Sequence, residues 1–468
     1  MQFASFAYLV FLSAVVLAAL ALPPRGLSKR LLLLLASYGF YGLLDLRFLP
    51  VLWGVTAVAY AGGLMIHRAA EAQRKPILVG TLTLLLASLC VFRYVPTLGQ
   101  SHQALLQGLG LQPDTLLGQW FVPVGLSFYT FVAIGYLVDI YRRKIEPTRD
   151  PLTLALFTAF FPQVLSGPIG RAAHLMPQLQ ALPRASAQQI QDGIALMLRG
   201  FAKKLLLADV LGVHIIAPAF DHTASASGLL LLVGLYAYTL QIYFDLSGYT
   251  DLARGAGKLL GIELARNFNL PYQARSISEF WTRWHMSMSS FFRDYLYFGL
   301  GGSKDGNVYL NLLVTFVAIG IWHGAGWNFA IYGTLHGGLV AFERYCRGNE
   351  AALPARAYAR IQGVLFTFHF VVLTRVLFRE ADFPQAVEYL QRLVSPSAWS
   401  ESAALGPVAW AAMAVGMVLV FLPQRFFGQV AQRYLHAPEL AKALAIVLLT
   451  YGATALSPNP AAFVYFRF

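Results

Sequence analysis

Long apolar runs separated by short basic loops dominate this chain. Residues 1–22 form one unbroken run, with no basic residue before it and no small-residue cleavage site. It therefore predicts a retained first span rather than a signal peptide. Similar runs predict spans over about 31–44, 48–66, 77–95 and 121–141, with a more polar, interfacial stretch at 99–120. The pattern then breaks. Residues 152–165 are apolar but short and end in Ser166-Gly167-Pro168-Ile169-Gly170. Broken backbone survives at membrane depth only where protein or a water-filled cavity covers it, so a re-entrant hairpin lining a cavity is expected here. Two helices interrupted at Lys203-Lys204 follow, then a span over 229–244. The polar stretch 245–300 suits helices lying on the cytoplasmic face. Five more spans are expected near 308–322, 327–342, 361–377, 408–422 and 440–456.

Composition agrees with this pattern. Of 468 residues, 57% are hydrophobic and 12% charged, against about 25% charged in an average soluble domain. A mean hydropathy of +0.58 excludes a soluble enzyme, a disordered chain and a fibrous protein. The apolar runs are continuous rather than alternating, which favours helices over a β-barrel. The expected fold is an all-α polytopic membrane protein of about twelve transmembrane or re-entrant helices. No linker is long enough to divide the chain, so one domain over 1–468 is expected, ending in an aromatic tail at 459–468.

The net charge of +13 raises the question of nucleic acid, but no basic stretch combines length with exposure. The basic residues sort instead onto loops. Arg25, Lys29 and Arg30, the loop 67–75, and Arg142-Arg143-Lys144 follow the first, third and fifth spans. By the positive-inside rule that side is cytoplasmic, and an even number of crossings places both termini outside it. Cys90 and Cys346 form no metal-spaced pair, and no carboxylate or thiol partners stand at zinc-ligand spacing; no metal is expected.

Candidate chemistry lies in three polar islands. In the first, Phe280 to Ser287, a continuous helix would put Trp281, His285, Ser289 and Arg293 on one face; an amphipathic cytoplasmic helix reads the same way. In the second, Trp322-His323-Gly324-Ala325-Gly326-Trp327-Asn328, a histidine ends a nearly charge-free span. The glycines beside it allow close approach by a substrate or by another backbone. His336, within a span, reads as a structural hydrogen-bonding residue. The third island is the tail Phe463-Val464-Tyr465-Phe466-Arg467-Phe468. It is either an interfacial anchor or a free end whose phenol carries an acyl group once a base activates it. A histidine is the natural general base near neutral pH, and an acyl thioester is an electrophile that needs no metal.

Five stretches together resemble the bacterial membrane-bound O-acyltransferases of the alginate O-acetylation type, and the related protein that D-alanylates teichoic acids. They are Pro123 to Phe131 with Tyr136 to Arg142; Phe161-Pro162-Gln163 to Ile169; Tyr243-Phe244-Asp245-Leu246-Ser247-Gly248-Tyr249-Thr250-Asp251; Asn267-Phe268-Asn269-Leu270-Pro271-Tyr272; and Arg283-Trp284-His285 with Trp322-His323-Gly324. The resemblance implies a ring of tilted helices around a central tunnel in the bacterial inner membrane. It implies His323 as the essential histidine and His285 as the second across the tunnel. A cytoplasmic acyl thioester, acetyl coenzyme A or an acylated carrier protein, would meet a hydroxyl acceptor from the other face, a glycan or a periplasmic partner. Phe463, Tyr465 and Phe468 match the F-x-Y-x-x-F motif of the helper peptide in the D-alanylation system, although Ala461-Ala462 separate Pro460 from Phe463. Arg283, Trp284, Asp245, Ser247, Tyr249, Asn267, Asn269, Trp322 and Asn328 are expected to shape the tunnel or the donor dock. D-alanyl transfer is the near alternative. A transporter with a histidine proton relay is the distant one, although only one broken region is evident where transporters pair two.

Overall fold

The computed structural model describes residues 4–108, 122–347, 357–400, 405–456 and Phe463. All regular structure among them is helical. Phe48–Arg68, Glu71–Tyr94, Gly228–Leu259, Ala359–Arg379 and Glu439–Leu456 are long and apolar enough to cross a membrane. Pro407–Phe421 and Gln424–Leu435 form a pair bent by 106°, and Phe6–Ala21, Leu126–Tyr141 and Val308–His323 are shorter apolar helices. The hydropathy pattern thus locates the helices, and among the described residues five of them, or six with the bent pair, meet the length and apolarity of a full crossing. The chain forms two compact units, Met1–Ile194 with Ala253–Ala265, and Ala195–Leu252 with Arg266–Phe468.

The first unit is built around Leu126–Tyr141, buried from Leu126 through Ile140, as its apolar residues on every side require. Gly125, at φ 79°, starts it because a Cβ there would lie 2.3 Å from the carbonyl oxygen of Val164. The expected broken segment is real. Pro151–Ala159 stops at Phe160 and Phe161–Val164 follows, with the chain buried from Leu156 through Ile169. Ser37 Oγ accepts from the Phe161 N–H at 3.1 Å and Gln163 Nε2 donates to the Phe157 carbonyl at 2.6 Å. These bonds replace the ladder that the break removes. The basic loops meet at one end of this unit: Arg74 and Arg143 both pair with Glu71, at 3.3 and 2.5 Å, and Arg30 pairs with Asp150. Arg74 also donates to the carbonyls of Ile140 and Tyr141 at 3.1 and 2.9 Å, closing the C-terminus of the central helix.

In the second unit the polar stretch departs from expectation. Gly228–Leu259 does not end at Asp245; it carries Asp245, Ser247 and Asp251 inward. Lys204 lies 2.9 Å from Asp245 and 2.8 Å from Asp209, and Lys203 lies 2.7 Å from Asp251. Buried charge persists when paired, so the acids that mark a helix end in the sequence instead fix a helix–helix contact. Nor do Lys203 and Lys204 interrupt a helix: Ala187–Phe201 continues into the π-helical segment Ala202–Ala208.

Candidate active site

Val308–His323 starts at Asn307, whose Oδ1 accepts from the Tyr309 and Leu310 N–H groups at 3.0 and 3.2 Å. It packs against Trp327–Arg347 at backbone distance. A Cβ on Gly320 would lie 2.2 Å from the Phe329 carbonyl oxygen, and one on Gly333 2.4 Å from that of Phe316. Small residues permit such approach between apolar helices. A Cβ on Gly324 would fall 2.0 Å from the Phe329 ring. Gly324, beside His323, is thus given over to a neighbouring ring. His323 is buried at the helix end, its ring 4.6 Å from Trp322, 4.8 Å edge-on to Phe378 and 6.5 Å from Tyr332.

The Trp281–Arg293 stretch is not the one-faced helix its spacing predicts. Ile277–Arg283 and Met286–Phe291 are separate helices, and His285 between them adopts φ 42°, ψ 54°. A left-handed residue other than glycine costs about 1–2 kcal/mol, and Asn267 holds it there. The Asn267 carbonyl accepts from the Met286 N–H at 2.8 Å and its Oδ1 from the Ser287 N–H at 2.9 Å, while the Asn269 N–H donates to the Arg283 carbonyl at 2.9 Å. Asn267 and Asn269 therefore brace the histidine turn. Ser289 Oγ turns back to the Trp284 carbonyl at 2.9 Å, and Arg293 pairs with Asp294 at the surface. His285 itself is 1% exposed, and this burial pushes its imidazole down to about 4. It is neutral at physiological pH.

Trp322 brings the two histidines together: its ring lies 6.1 Å from His285 and 4.6 Å from His323. Trp284 stacks on Phe280 at 5.5 Å and carries the Arg375 guanidinium 4.7 Å over its ring. Arg375 is 1% exposed, donates to Tyr332 Oη at 3.3 Å and lies 5.5 Å from Phe378. It thus touches the neighbours of both histidines. No polar island marks it in the sequence, although an arginine flanked by Thr374 and Val376 in a span is costly unless function or packing holds it. Asn328 Nδ2 donates to the carbonyls of Leu377 and Glu380, both at 3.0 Å, tying the His323 hairpin to the Arg375 helix. His336 is structural, as expected: Trp281 Nε1 donates to its Nδ1 at 3.3 Å and its Nε2 meets Thr374 Oγ1 at 3.1 Å.

The remaining expected residues lie apart from this cluster or at its margin. Arg283 pairs with Glu279 at 2.5 Å. Asp245 belongs to the Lys204 ion pairs, and Ser247 is buried on the same helix. Tyr249 stacks on Phe463 at 4.3 Å, so this one residue of the aromatic tail is docked on the unit. Tyr465 and Phe468 lie outside the described residues.

Residues 119–379 match the model of the membrane-bound O-acyltransferase (MBOAT) family. A probable alginate O-acetylase of Pseudomonas aeruginosa is 35% identical over 86% of this chain and 76% of its own length. A peptidoglycan O-acetyltransferase of Helicobacter pylori is 32% identical over 82% of this chain and 77% of its own. A teichoic acid D-alanyltransferase of Streptococcus thermophilus is 28% identical over 54% of this chain and 68% of its own. The chain belongs to the membrane-bound O-acyltransferase family and is an O-acyltransferase with several membrane helices, which removes the transporter reading.

Proposed function

We propose that this membrane-bound O-acyltransferase moves an acetyl group from a cytoplasmic thioester to a hydroxyl of an extracytoplasmic polysaccharide or cell-envelope polymer, through a tunnel in the bacterial inner membrane. The observation that carries the reading is the convergence of two buried histidines, His285 and His323, on one indole, that of Trp322. His323 acts as the base. A ring nitrogen takes the proton of the acceptor hydroxyl as its oxygen attacks the thioester carbonyl, forming the C–O bond. Collapse of the tetrahedral anion breaks the C–S bond, and the imidazolium returns its proton to the departing thiolate. His285 orients donor or acceptor, held by its Asn267 brace.

Acetyl transfer is preferred over D-alanyl transfer because the O-acetylating relatives match 80–86% of the chain and the D-alanyltransferases 54–56%. The acceptor in the membrane is the Tyr465 phenol, whose ester then passes the acetyl group to a glycan or a periplasmic partner. The Phe463–Tyr249 stack supports this by tethering the tail two residues before Tyr465. The test is reconstitution in vesicles with a labelled acetyl thioester inside and a glycan acceptor outside. Transfer with an acetyl ester on Tyr465 by mass spectrometry is expected. An unmodified tail with full activity in Tyr465→Phe would remove the relay, and no transfer from any thioester would remove the reading.

A further inference from the structure

Away from the histidines, a groove opens between the end of Trp327–Arg347 and the start of Ala357–Arg379. Its volume is about 390 Å³, and Arg275, Phe342, Glu343, Arg360, Gly363 and Phe366 are among the residues lining it. Gly363 sets its floor. A Cβ there would lie 2.5 Å from the Arg275 carbonyl oxygen, so the missing side chain lets this helix rest on the Arg275 backbone. That contact brings Arg275 and Arg360, 85 residues apart in the sequence, to one groove.

The acids nearby are already engaged. Glu279 Oε2 accepts from the Arg275 N–H at 2.8 Å and from Arg275 Nε at 3.3 Å, and its Oε1 accepts from Arg283 at 2.5 Å. Glu343 caps Ile277–Arg283, accepting from the N–H groups of Ile277 and Ser278 at 2.7 and 3.0 Å and from Ser278 Oγ at 2.7 Å. Among the described residues no carboxylate pairs with Arg360, which is exposed. The N-terminal end of a 23-residue helix adds its own partial positive charge there.

Beyond the arginines the groove is apolar and open. Phe342 is 61% and Phe366 58% exposed, and Phe366 stacks on Phe370 at 6.4 Å. Ala359–Arg379 is long and apolar enough to cross a membrane, so Arg360 stands in the first turn of a span, where headgroups lie. At 1.5 Å per residue, Phe366 and Phe370 follow about 9 and about 15 Å deeper. The second depth is about one leaflet of a hydrocarbon core roughly 30 Å thick.

We propose that this groove binds an anionic phospholipid, its phosphate on Arg275 and Arg360 and an acyl chain along Phe342, Phe366 and Phe370. Basic pockets between membrane helices suit such headgroups. A zwitterionic lipid carries the same phosphate but cancels its charge with its own amine, so net charge makes the selection. The site stands whether or not the acyl-transfer reading does.

The test is native mass spectrometry of the purified full-length protein in uncharged detergent, supplied with palmitoyl-oleoyl phosphatidylglycerol or palmitoyl-oleoyl phosphatidylcholine. The first phosphatidylglycerol molecule is expected to bind about 25-fold more tightly than phosphatidylcholine, about fivefold for each arginine. Arg360→Gln and Arg275→Gln should each weaken phosphatidylglycerol about fivefold and phosphatidylcholine little. Arg344→Gln, at an exposed arginine outside the groove lining, should change neither. Phe366→Ser should weaken both lipids. Equal retention of the two lipids, the same loss from Arg344→Gln, or unaltered retention in Phe366→Ser would overturn the proposal. So would a dimer of the chain that forms in place of the lipid adduct. Arg360→Gln decides alone if Arg275→Gln, which loses its bond to Glu279, melts lower.

Discussion

Gly320→Ala adds one methyl group three residues before His323, and the geometry says what it must do. The new Cβ would lie 2.2 Å from the Phe329 carbonyl oxygen, 3.0 Å from the Gly333 nitrogen and 3.1 Å from the Gly333 Cα. Carbon–oxygen contacts of this kind settle near 3.3–3.6 Å, so the two helices must part by roughly 1 Å. The obstacle is backbone, which cannot rotate away as a side chain would. Overpacking of this sort costs about 1–3 kcal/mol, and a misplacement of about 1 Å at a reacting group costs about 100-fold in rate. Gly338→Ala, on the partner helix, is the matched control because nothing lies within 4 Å of its Cβ. There the better helix former should stabilise by up to about 1 kcal/mol. Turnover in vesicles and melting in detergent should show Gly320→Ala melting several degrees lower and turning over roughly 100-fold more slowly, with Gly338→Ala unharmed. Wild-type turnover and melting in Gly320→Ala would refute the reasoning, as would equal damage from Gly338→Ala.

Three further outcomes follow from the same cluster. Asn267→Ala leaves the buried Ser287 N–H without its acceptor, so melting should reveal a loss of about 1–3 kcal/mol; Asn267→Asp, which keeps an oxygen there, should recover most of it. Arg375→Lys cannot both lie flat on Trp284 and donate to Tyr332, so it should lower the melting temperature and slow turnover about tenfold, measured as for Gly320→Ala. His285 is neutral when folded down to about 4 but protonates near 6.5 when unfolded. Its contribution is therefore complete above pH 6.5 and is lost as pH falls toward 4, at up to about 1.4 kcal/mol per pH unit. The melting advantage of wild type over His285→Gln should shrink across that window, and a constant difference would contradict it.

The helices were legible wherever apolar residues alone decide them. The runs at 48–66, 308–322 and 361–377 became Phe48–Arg68, Val308–His323 and Ala357–Arg379. Reading failed where a distant partner overrides local polarity. Asp245 and Asp251 mark a helix end in the sequence, yet Lys204 and Lys203, some forty residues earlier, carry them into the interior. The break at His285 had no glycine or proline to announce it, because the strain at a histidine is offset by hydrogen bonds that Asn267, eighteen residues away, accepts from Met286 and Ser287. The helix before the break starts at Ser276, whose Oγ accepts from the Glu279 N–H at 3.1 Å. Both histidines were visible as polar islands in an apolar chain. Their meeting on Trp322 was not, since it depends on three segments folding together.

The central claim is that His323 is the base for acyl transfer. The direct measurement is single-turnover transfer from a labelled acetyl thioester in vesicles carrying His323→Ala or His323→Gln, with folding checked by melting. The account predicts folded protein that binds the donor and transfers at least about 1,000-fold more slowly than wild type, within the range that general base catalysis contributes. Transfer within tenfold of wild type by either folded variant would contradict it.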